Sequence, residues 1–237
     1  MQRSLRVLTI SLAYPPCSIG GYAVLCAQIC QRLFQRGHDV PVLTSVPLAV
    51  PAPGEAAWPV GSIPVHRTVR SYWDGRDCLY PPFREVLNIE QTNQAQLRDR
   101  LAEYRPDVVS FWHMGALSLG LITTTLRLGS PVVFVIGDEW LCYGGWADAW
   151  LRRFSYHPQR AQAVERLTGL PTRLPDLGTV GMCCFVSDYT RRRAEEVGDG
   201  AFLASRSRLP ACRSPSFLRW PLPQRAPGDG ACSGLVG

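Results

Sequence analysis

Near-continuous hydrophobic runs alternate with amphipathic stretches along most of the chain. The runs are typical of strands buried on both faces of a parallel sheet, and they predict strands over 5–12, 39–44, 107–112, 131–136 and 182–186, with a shorter one over 63–69. Apolar residues at three- and four-residue spacing predict helices over 22–36, 84–104, 116–128, 146–154, 158–168 and 188–197. This alternation indicates an α/β fold, a doubly wound, mostly parallel Rossmann-like sheet.

A turn-rich loop with two prolines follows the first strand and ends in Gly20 and Gly21, where the first helix begins. Glycines at a helix start let backbone N–H groups approach a phosphate. The pair is not part of a Gly-x-Gly-x-x-Gly motif, and no Walker lysine exists, so both classical nucleotide motifs are disfavoured. We predict that both glycines bind substrate; a tight turn that needs small residues is the structural alternative.

Two further strands end in side chains that can carry chemistry. His113 follows Trp112, and Asp138, Glu139 and Trp140 follow the strand over 131–136. Ligands of such sheets bind beyond the carboxyl ends of the strands. We predict His113 as catalytic, because it could contact substrate hydroxyls or titrate near neutral pH. A structural histidine is the alternative.

The other residues at these strand ends are predicted to bind substrate. Trp112 and Trp140 offer flat faces for sugar rings, with core packing as the alternative. Asp138 and Glu139 are adjacent and should point to different sides. One of them could bind sugar hydroxyls or an arginine while the other caps a helix.

Composition narrows the function classes. The 237-residue chain has a net charge of +6, and arginine supplies every Lys/Arg position. These arginines are spread out with no basic-aromatic stripe, which disfavours nucleic acid as a partner. The run Arg191–Arg193 is interpreted as a solvated helix face, or as a peripheral contact with anionic lipid.

The nine cysteines and four histidines show no metal-binding spacing, so no metal and no cofactor are predicted. Cys26 and Cys30, one turn apart, are predicted to be small buried hydrophobic residues, which favours a reducing, cytoplasmic location. The apolar N-terminal run is too short for a secretion signal, and no run is long enough to span a bilayer.

Two segments depart from the alternation. Residues 46–82 form a long connection whose Tyr72, Trp73 and Tyr80 either stack on a ligand or pack the loop onto the body. Residues 201–237 are rich in Pro, Gly, Ser and Arg and have one acidic residue, so a disordered tail is predicted. The domain prediction is therefore 1–200 for the folded unit and 201–237 for the tail.

Several segments, taken in order, resemble the N-terminal domain of the family 4 retaining glycosyltransferases, which have the GT-B fold. They are Arg6-Val-Leu-Thr-Ile-Ser, Tyr14-Pro-Pro, Gly20-Gly21, Arg36-Gly-His-Asp-Val, Arg105-Pro-Asp-Val-Val, Trp112-His-Met-Gly and Phe185-Val-Ser-Asp-Tyr-Thr. The resemblance covers about residues 5–198 and implies transfer of a sugar from a nucleotide-sugar to an acceptor with retention. It also implies that Gly20 and Gly21 approach the donor phosphates and that His113 contacts the transferred sugar. The implication for Asp138 is looser.

The resemblance ends before the donor-binding domain. That domain of the family holds most of the nucleotide pocket, the basic residues that neutralise the leaving diphosphate and a paired-glutamate motif, which Glu195-Glu196 does not reproduce. We therefore expect the chain to be nearly inactive alone and to act with a separate donor-binding domain. A non-catalytic binding module or pseudoenzyme and a truncated, frameshifted product are the alternatives, and whether the chain is an enzyme stays open.

Overall fold

In the part of the chain that the structure describes, the sheet contains six strands, all parallel to their neighbours. The computed structural model describes residues 3–17, 20–46 and 63–198. The strands are β1 (Val7–Ser11), β2 (Val42–Ser45), β3 (Val65–Val69), β4 (Val108–Phe111), β5 (Val132–Ile136) and β6 (Met182–Phe185). Their spatial order is β3-β2-β1-β4-β5-β6. This confirms the predicted Rossmann-like α/β fold.

The strand order places a crevice beside β1. The chain first builds outward from β1 through β2 to β3, then returns to pair β4 with the other edge of β1. The direction of construction therefore reverses between β1 and β4. In parallel sheets such a reversal opens a crevice at the carboxyl ends of the two strands.

Seven α-helices and one 3₁₀ turn cover this sheet within the described ranges. They are α1 (Gly21–Gln35), α2 (Phe83–Tyr104), α3 (Gly120–Arg127), α4 (Trp140–Ala147), the 3₁₀ turn Leu151–Arg153, α5 (Pro158–Thr168), α6 (Leu177–Val180) and α7 (Asp188–Gly198). No helix of these ranges is both long enough and apolar enough to cross a membrane.

Two hydrophobic clusters lie on opposite faces of the sheet. On one face, Cys26 and Cys30 of α1 pack with Val7 and Val42. On the other face, α2, α3 and α4 pack over the alternate positions, such as Leu8. Successive strand residues point to opposite faces, so both faces are apolar and the strands become continuous hydrophobic runs in the sequence.

The third helix begins later than predicted, at Gly120 rather than near residue 116. Ala116 has a positive φ of 62°, which is incompatible with a continuing helix. Ser118 donates to the buried carboxyl of Glu90, and the Leu119 N–H donates to buried Asp148. These tertiary hydrogen bonds hold 116–119 as a loop although its sequence is apolar.

The fourth helix also differs from prediction. A helix over 146–154 was expected, whereas α4 covers Trp140–Ala147 and only a 3₁₀ turn follows. Gly144 and Gly145 lower the intrinsic helix propensity here. A Cβ at Gly144 would lie 3.4 Å from the Leu119 side chain and 3.5 Å from the Trp140 ring, which is ordinary van der Waals contact, so the packing of α4 does not require glycine at this position. Asp148, in extended conformation, ends α4 and accepts hydrogen bonds from the next turn.

Candidate active site at the carboxyl edge of the sheet

The glycine pair lies at the open N-terminus of α1. Gly20 precedes the helix with a φ of 70°, which favours glycine, and no side chain caps the helix start. Both glycines are exposed, and a Cβ on either would meet nothing within 4 Å. No side chain of the described residues thus caps the first N–H groups of α1 or its positive dipole end, and a helix start of this kind can bind an anion. Residues 18 and 19, which precede the pair, lie outside the described residues.

Tyr22 connects this helix start to the neighbouring strands. Its hydroxyl donates to the carbonyl of Val135 in β5. Its ring centroid lies 5.2 Å from that of His113, with the two planes 30° apart. Gly137 makes room for the tyrosine, because a Cβ there would come within 2.8 Å of the Tyr22 ring. The glycine pair and His113 thus border one crevice.

His113 forms a polar triad with Asp138 and Tyr143. The His113 Nε2 atom lies 3.4 Å from Asp138 Oδ2 and 3.1 Å from the Tyr143 hydroxyl. The Tyr143 hydroxyl donates to the same Asp138 oxygen over 2.6 Å. The main chain of His113 is held to the sheet by its carbonyl, which accepts from the Leu12 N–H at 2.7 Å. Segments following β4 and β5 and the helix α4 therefore meet at one point.

The environment of Asp138 favours its ionised form. Burial opposes ionisation, but the hydrogen bond and positive charge of His113, the Tyr143 hydroxyl and the Trp140 N–H together hold the pKa of Asp138 below its ordinary value. Its other oxygen, Oδ1, accepts from the Trp140 N–H at 3.2 Å. A fixed carboxylate of this kind orients the His113 ring.

Glu139 points away from this triad, towards α7. Its carboxylate accepts from the Tyr189 hydroxyl at 3.1 Å and lies 3.6 Å from the Arg193 guanidinium. The adjacent carboxylates therefore serve different sides, with Asp138 facing the crevice and Glu139 attaching α7 to the end of β5.

The two tryptophans at the strand ends are core residues in this structure. Trp112 is 3% exposed, and its indole N–H donates to Ser110. Trp140 has no exposed surface. Neither ring lies open to the crevice. The Trp112 ring packs against that of Tyr22, with the two centroids 6.2 Å apart, and so helps to position Tyr22.

The arginines of α7 are largely paired with carboxylates. Arg191 contacts Asp188 and Glu195, and Arg193 contacts Glu196 as well as Glu139. This pairing leaves less positive charge for a lipid headgroup than the sequence run suggests.

Sequence reasoning missed Tyr22 and Tyr143 as site residues. The signal for Tyr22 was its position directly after the glycine pair, at a helix start. Tyr143 had no comparable signal, because α4 was not predicted over its segment. Within the described ranges no cluster of three or more His, Cys, Asp or Glu could hold a metal ion.

The crevice combines two chemical capabilities. The helix start offers backbone donors to an anionic group. The triad offers an imidazole, a carboxylate and a phenol, which together can donate to and accept from the hydroxyls of a polar ligand. Such a combination suits a ligand that carries both phosphate and hydroxyl groups.

The chain is similar to several solved structures, among them the following three. SsfS6 from Streptomyces sp. SF2575 is 17% identical with a TM-score of 0.44, and the match covers 77% of this chain and 50% of SsfS6. The spinosyn rhamnosyltransferase SpnG is 18% identical with a TM-score of 0.44, covering 76% and 44%. Sucrose-phosphate synthase from Thermosynechococcus elongatus is 15% identical with a TM-score of 0.41, covering 80% and 45%.

The chain thus spans half or less of the length of these proteins. No curated protein matches its sequence. The sequence model of Glycosyltransferase Family 4, in contrast, matches residues 19–199, which include the glycine pair, His113 and Asp138. The chain therefore belongs to Glycosyltransferase Family 4.

Proposed function

We propose that this domain is the acceptor-side half of a glycosyltransferase that moves a sugar from a nucleotide-sugar to an acceptor with retention at the anomeric carbon. The observation that carries the proposal is the meeting of the open α1 N-terminus with the His113–Asp138–Tyr143 triad at one crevice. In this assignment the α1 N–H groups face the donor diphosphate. His113, fixed by Asp138, contacts hydroxyls of the transferred sugar.

The proposal assigns only one wall of the reaction site to this domain. Departure of a nucleoside diphosphate requires cationic or hydrogen-bonding groups around the developing charge. The α1 N-terminus supplies part of that stabilisation. We therefore assign the remaining groups to a separate donor-binding domain or chain, and we expect this chain alone to bind donor weakly and not to turn it over.

We keep the cytoplasm as the proposed location. The buried Cys26 and Cys30 support it, since small buried thiols suit a reducing compartment.

Saturation-transfer NMR on the full chain tests donor binding. UDP-glucose, GDP-mannose and ADP-glucose are each added, and the saturation received by sugar and base protons is compared. We expect the sugar protons to dominate for at least one donor, because the assigned contacts lie at the sugar and diphosphate. His113→Ala should reduce the sugar signals at least fivefold.

Tyr156→Ala provides the matched control, because Tyr156 is an aromatic side chain that is 89% exposed and absent from the site. It should leave all signals unchanged. Signals that are confined to the base, or sugar signals that His113→Ala leaves intact, would contradict the assignment. A chain that binds glycans but binds none of the nucleotide-sugars would favour a non-catalytic binding module instead.

A further inference from the structure

Three separate segments bring Tyr80, Trp146 and Arg152 together at the surface; we call these residues the aromatic-arginine patch. The Tyr80 and Trp146 rings meet edge to face, with centroids 5.8 Å apart. The Arg152 guanidinium carbon lies 4.3 Å from the Tyr80 centroid and 5.2 Å from the Trp146 centroid. Both rings are nonetheless open, with Trp146 56% and Tyr80 47% exposed. The patch therefore presents flat apolar area around a cation.

Hydrogen bonds outside the patch hold its members in place. The segment of Tyr80 is fixed on both sides, by the Leu79 N–H donating to the Tyr72 carbonyl and by Arg153 donating to the Pro81 carbonyl. The main-chain N–H of Arg152 donates to the carbonyl of Asp148 at 3.1 Å. A surface that is already arranged loses less conformational entropy when a ligand binds.

The patch is continuous with the candidate active site. Tyr143 and Trp146 are three residues apart on α4, so their side chains share one helix face and are separated by about 4.5 Å along its axis. The Tyr143 hydroxyl contacts both His113 and Asp138. A ligand that lies along this face can therefore reach the triad at one end and the patch at the other.

The chemistry of the patch selects a ligand class. Exposed tryptophan and tyrosine rings stack on planar rings. Arg152 takes part in none of the ion pairs formed among the described residues. A guanidinium that lies over aromatic rings, as that of Arg152 does over Tyr80 and Trp146, can still direct N–H groups towards an anion. We infer that the aromatic-arginine patch recognises the acceptor of the transfer reaction, and that this acceptor carries an aromatic ring next to a carboxylate or phosphate.

This inference rests on the proposed function, and calorimetric titration of the full chain tests it without any nucleotide-sugar. The probes are 2-naphthoate, 2-naphthyl phosphate and the neutral 2-naphthylmethanol. At least one anionic probe is expected to bind at least tenfold more tightly than the neutral one. The two anions distinguish a carboxylate from a phosphate acceptor.

Two variants separate the ring contribution from the charge contribution. Trp146→Ala should lower the affinity for the more tightly bound anionic probe at least tenfold. Trp146→Phe, which keeps a ring, should bind that probe with an affinity within threefold of the unaltered chain. Arg152→Gln should reduce anion binding to the level of the neutral probe. Tyr156→Ala, the exposed aromatic control, should have no effect, and circular dichroism verifies that each variant is folded.

Equal affinity for anionic and neutral probes would overturn the inference, as would no binding of any probe. Folded Trp146→Ala and Arg152→Gln chains that bind within twofold of the unaltered chain would overturn it as well. Because no donor is present in this titration, a negative result would not contradict the assignment of His113 to the donor sugar. Conversely, a failure of donor binding in the NMR experiment would not change the result of this titration.

Discussion

Glu90 and Asp148 are carboxyl residues with no exposed surface, buried close to each other beneath the loops of the candidate site. Glu90 accepts from the Tyr72 hydroxyl at 2.6 Å and from Ser118 at 2.5 Å. Asp148 accepts three main-chain N–H groups, including that of Leu119 at 2.8 Å. Both carboxyls thus anchor the loop between β4 and α3. Burial, and for Glu90 the neighbouring charge of Asp148, raises the pKa of Glu90 to about 8 and that of Asp148 to about 6.

Glu90→Gln should stabilise the protein at pH 8. The folded state keeps the Glu90 proton from its ordinary pKa of 4.5 up to about 8, whereas the unfolded state loses it near 4.5. This contribution to stability is therefore complete below pH 4.5 and is lost as pH rises towards 8, at a cost of about 5 kcal/mol over the whole interval and about 3 kcal/mol between pH 5.5 and pH 8. Glutamine keeps the acceptor oxygen and cannot ionise. Urea unfolding at pH 5.5 and pH 8 measures the difference.

Asp148→Asn is the matched control for this experiment. An amide nitrogen at one of the Asp148 oxygens would face a main-chain N–H at a cost of about 1–3 kcal/mol, which offsets the relief of the buried charge, so the variant should be less stable at pH 5.5 and should not gain stability at pH 8 as Glu90→Gln does. If the free energy of unfolding of the Glu90→Gln chain falls between pH 5.5 and pH 8 as steeply as that of the unaltered protein, the account of Glu90 is contradicted.

Asp138 and Glu139 offer a second comparison at this scale. Asp138→Asn removes the charge that fixes His113, so it should reduce the saturation of donor sugar protons at least threefold. Glu139→Gln should leave those signals unchanged and cost within about 1 kcal/mol of stability, because it only loosens the exposed contact with α7. Equal effects of the two variants on donor signals would contradict the division of roles.

At the scale of elements, hydrophobic periodicity predicted those strands and helices whose formation depends on a repeated local pattern of apolar residues. The strands and the long helix α2 fall within a few residues of expectation. The start of α3 and the position of α4 could not be predicted, since they depend on Glu90 and Asp148, which are distant in sequence from Ser118 and Leu119. On α2, Glu90 looks like an ordinary solvated residue until the packing is known. Tyr143 was missed for the same reason, because its helix was not expected.

The contact between the loop after β4 and α4 depends on Gly115. A Cβ at this position would lie 2.3 Å from the Tyr143 hydroxyl oxygen and 2.7 Å from its ring. Gly115→Ala should therefore displace Tyr143 from the triad and lower the free energy of unfolding by about 1–3 kcal/mol. Thermal unfolding measures this cost.

Tyr143→Ala supplies the control background for that substitution. With the tyrosine ring removed, adding Gly115→Ala should cost less than about 0.5 kcal/mol further. A cost that is the same in both backgrounds would show that Gly115 is required for a reason other than its contact with Tyr143.

At the scale of the whole molecule, the sequence predicted the sheet and the edge of it at which the candidate site residues lie. The carboxyl-end rule placed Gly20, His113 and Asp138 at one edge before their distances were known. It could not separate side chains that face the crevice from those that turn into the core, as Trp140 does. The predicted tail over 201–237 and most of the loop over 46–62 lie outside the described residues, so those expectations stay predictions.

The central claim is that this domain holds a sugar through His113 but contains only part of a transfer site. The most direct test measures release of nucleoside diphosphate by the full chain, in the same samples that show donor binding by saturation transfer. We expect binding that His113→Ala weakens, together with no release above the uncatalysed rate. Robust turnover of a nucleotide-sugar that His113→Ala abolishes would contradict the claim, because the chain would then contain a complete catalytic site.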